Sequence, residues 1–298
     1  MGEYVPGVEM LGARRPVKRG LHLFMSPLAD LRPHPVVRGA MESQPAPYLA
    51  ELLSAPTPEA PVPPLAEGFR VTTYNVHRWA GVRGGKKYAP ERVMEVLDEL
   101  GADVIALQEV LRPFDGRDPL RRAARAMGMH LAFVVTRMHK RGELGNAVLS
   151  RYPFASAEAI DLTFGRLERR AALAVRLASG GDGERISIVS THLALMDRTR
   201  TRQVKALLEH PHFDGAPTLL LGDMNAWRRN PASRGLDAYA ERHNNERWPA
   251  SWPSVRPVLA LDRAYASGLN LCDLHAHETA ASKQASDHLP LVGRVVVG

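Results

Sequence analysis

Apolar and polar positions follow one rhythm up to Glu67 and another from Phe69 onward. Beyond that point short apolar runs are separated by turn formers or by segments of helical period. Arg70 to Val76 predicts a strand. Pro90 to Leu100 predicts a helix, opened by Pro90, with Val93, Val96, Leu97 and Leu100 on one face and Gly101 at its end. Asp103 to Val110 predicts a second buried strand and Pro119 to Met127 a helix. Strands follow near 130–136, 144–150, 169–177 and 185–194, then a helix over Asp197 to Glu209. Leu219, Leu220 and Leu221 make a strand apolar on both faces, and Gly222 lets the backbone turn at its end. After a long loop the last strands lie near 258–266 and 290–297. Many strands with few helices between them predict an α/β fold, two stacked sheets covered by helices rather than one parallel sheet.

The first rhythm belongs to residues 1–68, where Pro33, Pro35, Pro45, Pro47, Pro56, Pro58, Pro61, Pro63 and Pro64 interrupt the chain. The one short helical spacing there runs from Tyr48 to Leu53. Such a segment cannot bury enough apolar surface to balance its chain entropy. It predicts a largely irregular N-terminal extension over 1–68, with residues 1–60 removable, and one catalytic domain over 69–298.

Composition narrows the function. At 45% hydrophobic and 24% charged, the 298 residues suit a globular protein, and no apolar run reaches the ~18 residues of a membrane span. The net charge of +7 lies wholly after residue 68, because 1–68 carries six basic and seven acidic residues. That excess favours a polyanionic partner, nucleic acid ahead of a lipid headgroup. Cys272 is the only cysteine, which excludes a disulfide framework and a thiolate zinc site and suits a reducing, cytoplasmic setting. A monomer is expected.

Polar residues then mark the strand ends. Asn75 closes the first strand, Glu109 the second, His192 another, and Asp223 with Asn225 the leucine strand; Asn146, Asp262 and the pair Asp287, His288 open others. Asp223 and Asn225 alone fit an Asx turn as well as a site. Together the set has a chemistry. Glu109, Asp287 and Asn75 are hard oxygen donors of the kind Mg²⁺ or Mn²⁺ selects, ahead of zinc, and too few for an all-protein cage. Asp223 can take a proton from water while Asn225 donates to a phosphate oxygen. His288, held by Asp262, can face developing negative charge, and His192 supplies a second donor. The predicted reaction is metal-assisted phosphoester hydrolysis.

In order along the chain, TYNVH, ALQEV, GNAVLS, ERRAAL, STHL, LGDMN, LDRAYAS and SDHLPL resemble the endonuclease/exonuclease/phosphatase (DNase I-like) superfamily over roughly residues 69–298. The resemblance implies a four-layered α/β sandwich and a Mg²⁺-dependent phosphodiester hydrolase. It implies metal binding by Asn75, Glu109 and Asp287, water activation by Asp223 with Asn225, a histidine pair His192 and His288, and orientation of His288 by Asp262. Arg170 takes the place of an arginine that touches phosphate, although pairing with Glu168 on the surface accounts for it as well. The segment Ala226 to Pro257 sets Trp227, Trp248 and Trp252 among several arginines, which suits base stacking, a lipid headgroup or a sealed sheet edge. Three functions remain open: a nuclease-like phosphodiesterase, the same chemistry on a phospholipid or small phosphodiester, and a non-catalytic binding protein.

Overall fold

Among the residues that the computed structural model describes, 46–54, 64–85, 88–165, 169–178, 186–241 and 247–296, twelve strands form two mixed sheets. They are β1 (Tyr48–Leu53), β2 (Phe69–Asn75), β3 (Val104–Pro113), β4 (His130–His139), β5 (Gly142–Ser150), β6 (Phe154–Asp161), β7 (Ala171–Leu177), β8 (Ser187–His192), β9 (Thr218–Asp223), β10 (Asp262–Ser267), β11 (Asn270–Ala276) and β12 (Leu291–Val296). The larger sheet runs β1-β4-β5-β3-β2-β12-β11 and the smaller β10-β9-β8-β7-β6. The helices are α1 (Pro90–Leu100), α2 (Pro119–Ala126), α3 (Asp197–Leu208), α4 (Pro231–Tyr239) and the single turn α5 (Ser282–Ala285).

Alternation along each strand divides the apolar side chains between two faces. Val71, Val104, Ala106, Leu173, Ile188, Leu219 and Leu221 meet between the sheets. Their neighbours Ile105 and Leu107 face outward onto Val93, Leu97 and Leu100 of α1 and Leu120 of α2. Leu220 and Val189 face outward from the smaller sheet onto Val204 and Leu207 of α3 and Leu236 of α4. The result is the expected sandwich of helices, sheet, sheet and helices, and it explains why β9 is leucine at three successive positions. Helix ends follow local chemistry: Pro90 starts α1 and Gly101, at φ 52°, stops it. Asp118 caps α2 by accepting the Arg121 N–H, and Asn230 with Ser233 forms a capping box on α4. Among the described residues no helix is long and apolar enough to cross a membrane.

Three strands escape the sequence pattern. Tyr48 to Leu53, spaced like a helix, is β1, paired antiparallel with the edge of β4 through a bulge after Leu49. Tertiary pairing overrides local spacing here: Glu51 of β1 accepts from Arg112 at 2.9 Å and from Arg121 at 2.8 Å. The sheet therefore begins inside the expected extension, and a domain boundary at residue 68 would cut it; residues 1–45 and 55–63 lie outside the described residues. The edge strands β6 and β11 are half-exposed, and their apolar period is too weak to stand out. A chain begun at Pro64 loses β1 and leaves Arg112 and Arg121 without Glu51. Thermal unfolding is expected to place its midpoint several degrees below that of a chain begun at Ala46. Equal midpoints would show that β1 contributes nothing.

Candidate active site

Strand register assembles the centre. His192 of β8 lies opposite Asp223 of β9, and Asp262 of β10 lies opposite the same Asp223. Residues in register across a sheet present their side chains on one face, so these three are neighbours by backbone geometry alone. The approach is close: a Cβ on Gly222 would stand 1.9 Å from the Thr191 carbonyl oxygen, so β9 can reach β8 only with glycine there.

Asp223 is buried and contacted from four sides. Its Oδ2 accepts from Asn75 Nδ2 at 3.1 Å and lies 3.3 Å from His192 Nε2 and 3.7 Å from His288 Nε2. Its Oδ1 accepts the Asn225 N–H at 2.9 Å. Burial pushes the Asp223 pKa up to about 6 and Asp262 adds to the rise, while the His288 charge and the two asparagine hydrogen bonds hold it back. Asn225, at φ 48°, donates its side-chain amide to Leu193 O at 2.8 Å, so it locks the turn that carries Asp223. Turn and site are one object.

His288 Nδ1 donates to Asp262 Oδ2 at 2.7 Å, and Ser251 Oγ donates to the same oxygen at 2.5 Å. Burial opposes a charge on His288, but the Asp262 and Asp223 carboxylates outweigh it and hold the ring well above the usual histidine range. His192 goes the other way. Burial, then the positive charges of Arg170, His288, Arg137 and Arg78, keep it well below that range and neutral.

Glu109 reaches the same region through a bulge. Pairing of β3 with β5 slips between Leu107 and Val110, and Glu109 sits at φ 52°, a region few non-glycine residues adopt. It lines a pocket with Thr136, Arg137, Asn146, Arg170 and His192. Asn146 also donates to Ala171 O at 2.9 Å, tying β5 to the other sheet. Arg170 is buried rather than on the surface, and Glu168 lies outside the described residues.

Asp287, half-buried beside His288, lies 3.0 Å from His77 Nδ1, and Arg78 Nε lies 3.4 Å from Glu109. Burial alone would raise the Asp287 pKa; the His77 hydrogen bond and the charges of His288 and His77 reverse this and take it to about 2. Asn75 joins both groups, donating to Asp223 and accepting the His77 N–H at 3.0 Å. The two partly open carboxylates, with His77 and Arg78 beside them that a metal ion would displace, offer the hard oxygens that fit a divalent cation completed by water and phosphate. Asp223, Asp262 and His288 also bring ligand atoms within 4.8 Å of one another. A protonated His288 donates to Asp262 and repels a cation, so this second grouping suits proton transfer rather than metal binding.

Every sequence-predicted site residue except Trp227 thus joins one connected cluster. Trp227 stands exposed on the next loop, edge-on to Trp252 at 5.3 Å, and is not among the residues lining the pocket. Sequence reasoning missed His77, Arg78, Arg137 and Ser251. His77, two residues after Asn75, carried a signal in its spacing, and Arg137 stands in the basic run Arg137, His139, Lys140, Arg141; Ser251 carried none.

The sequence profile of the endonuclease/exonuclease/phosphatase family matches residues 73–288. The chain is 29% identical over 246 residues to the uncharacterised protein YbhP of Escherichia coli K12, a match covering 76% of this chain and 96% of YbhP. Among solved structures it is similar to an endonuclease/exonuclease/phosphatase from Beutenbergia cavernae, with TM-score 0.60 and 24% identity over 78% of this chain and 72% of that one. It is also similar to the human Nocturnin catalytic domain with bound sulfate, with TM-score 0.58 and 24% identity over 77% and 93% of the two chains. At such identities the structures speak for the fold.

Proposed function

Because this chain belongs to the endonuclease/exonuclease/phosphatase family, we propose that it is a metal-dependent phosphodiester hydrolase in which water attacks phosphorus in line with the leaving oxygen. The observation that carries this reading is the buried Asp262–His288–Asp223 chain standing beside the carboxylates of Glu109 and Asp287. Asp223, with its pKa pushed up to about 6, is poised to take a proton from water near neutral pH, and Asn75 and the Asn225 turn fix its two oxygens. His288, held charged by Asp262, faces the negative charge that grows on the phosphate. Neutral His192 donates to a phosphate oxygen or to the leaving group, and Arg170 and Asn146 hold the phosphate in the pocket. Glu109 and Asp287, with Asn75 adjoining, would hold Mg²⁺ or Mn²⁺, which when bound supplies a Lewis acid for a phosphate oxygen.

Two substrate classes follow. Charge supports a nuclease-like enzyme, since Arg141, Arg78, Arg137 and Lys140 crowd His139 beside the pocket. A lipid phosphodiester is the second reading, favoured by apolar residues exposed at the same end of the sheets.

Glu109→Gln tests the metal assignment. The amide keeps the shape and removes the charge, so calorimetry is expected to record Mg²⁺ affinity falling by about tenfold or more, and part of the lost turnover should return at high Mg²⁺. Unchanged Mg²⁺ affinity in this variant would remove Glu109 from the metal site.

A further inference from the structure

Eight large hydrophobic residues are well exposed among the described residues, and five of them stand on three loops at the catalytic end. Leu195 and Met196 follow the strand of His192, Trp227 follows that of Asp223, and Val255 and Val258 precede that of Asp262. They are 39 to 66% exposed, and scattered surface residues would not gather at one end.

The loops are joined. Arg228 Nη2 lies 3.1 Å from Asp197 Oδ2, linking the first loop to the second. Trp227 packs on Trp252 at 5.3 Å, and Trp252 O accepts the Val258 N–H at 2.9 Å, linking the second to the third. Trp252 is also a hydrogen-bond partner of Asp287, so the apolar rim is anchored to the catalytic centre.

Charge on these segments is nearly all of one sign. Arg198, Arg228, Arg229 and Arg256 are exposed there, and over the described stretches 193–198, 224–230 and 247–261 the sole acid is Asp197, already engaged by Arg200, Arg228 and Asn230. A nucleic-acid strand would use the arginines and one aromatic face. It gains nothing from Leu195, Met196, Val255 and Val258, which have neither a stacking plane nor a hydrogen-bonding group. A lipid interface uses all of them: each methylene it buries strengthens partition roughly fourfold, tryptophan settles at headgroup depth, and arginines meet anionic headgroups.

We propose that this rim docks the protein on an anionic bilayer and brings its catalytic end to a phosphodiester at the lipid surface. The proposal rests on the phosphodiesterase reading for what happens after docking; docking itself does not depend on turnover.

The test is co-sedimentation of the full chain with phosphatidylcholine vesicles, with and without phosphatidylglycerol, alongside retention of plasmid DNA. Two variants carry the weight, Leu195→Glu with Met196→Glu, and Val255→Glu with Val258→Glu, each also assayed with Mg²⁺ on a small soluble chromogenic diester. The wild type is expected to bind phosphatidylglycerol vesicles in preference to phosphatidylcholine alone. Each variant should lose roughly tenfold or more of that binding while cleaving the soluble diester as before. Vesicle binding absent from the wild type, or unchanged in both variants, overturns the proposal. So does a loss of DNA retention in the variants without any vesicle binding to lose, which would assign the rim to nucleic acid. Vesicle binding by a wild type that never cleaves the soluble diester would keep the docking surface and sink the phosphodiesterase reading, so the two failures are distinct.

Discussion

Asp223→Asn is expected to lower turnover by roughly 10²-fold or more while leaving substrate affinity nearly unchanged, and no concentration of Mg²⁺ should restore it. The amide fills the same volume and its one oxygen can keep the Asn225 N–H, but its nitrogen then faces the Asn75 donor and it cannot accept a proton from water. The pH profile follows from the same group. Asp223 must be ionised to act, and its pKa is pushed up to about 6, so wild-type turnover should fall as pH drops through about 6. Stability should move the opposite way. The folded pKa lies above the ordinary value of 3.8, so the ionised carboxylate opposes folding at every pH above about 6, and this penalty fades between pH 6 and 4 as the folded protein takes up the proton. Two pKa units correspond to about 3 kcal/mol at most. In metal-free protein the wild type should therefore lose several degrees of melting temperature relative to the variant as pH rises from about 4 to 8. A difference in melting temperature that stays constant with pH would mean that the buried Asp223 carboxylate does not oppose folding.

His288→Ala should be comparably severe, a fall of about 10²-fold or more, because it removes the charged ring proposed to face the phosphate. Asp262→Asn should be milder in the same direction. The amide can still accept from Nδ1, but it no longer supplies the charge that, with Asp223, holds the ring protonated. Combined, the two substitutions should cost little more than His288→Ala alone, since an orienting carboxylate has no task once the ring is gone. Ser251 makes this cycle sharper. Its hydroxyl donates to the same Asp262 oxygen at 2.5 Å, so Ser251→Ala should reproduce a fraction of the Asp262→Asn loss, and likewise vanish in the His288→Ala background. Full additivity in kcat would mean that Asp262 acts on something other than His288.

What could be read from the chain, and what could not, divides along physical lines. Leu219 to Leu221 announced a strand covered on both faces, and the structure puts their side chains alternately into the inner core and under α3 and α4. Strand ends carrying Asn75, His192, Asp223 and Asp262 were legible because polar residues break an apolar run visibly, whereas Glu109, expected to close its strand, stands inside β3, which runs on to Pro113. Their convergence was inferred from so many polar termini sharing one chemistry and from their ordered resemblance to a family, since register between β8, β9 and β10 is set by pairing across long separations and leaves no local mark. The bulge that aims Glu109 is of the same kind. Tyr48 to Leu53 misled because its apolar spacing fits a helix, whereas pairing with β4 and the Glu51 contacts with Arg112 and Arg121 decide the outcome. His77 and Arg78 escaped because their role appears only when Asp287 and Glu109 stand next to them. Trp227 was placed with the substrate on composition; it is exposed, packs on Trp252 and is not among the residues lining the pocket.

The central claim, that this chain hydrolyses phosphodiesters with a divalent cation at Glu109 and Asp287, is tested most directly by one activity panel on the wild-type protein. Plasmid DNA, single-stranded DNA, RNA, a lipid phosphodiester and a chromogenic diester are each incubated with Mg²⁺, with Mn²⁺ and with EDTA. The expected result is cleavage of the chromogenic diester and of at least one of the biological substrates with Mg²⁺ or Mn²⁺, and none in EDTA. Cleavage undiminished by EDTA, or no cleavage of any diester with either cation, would contradict it.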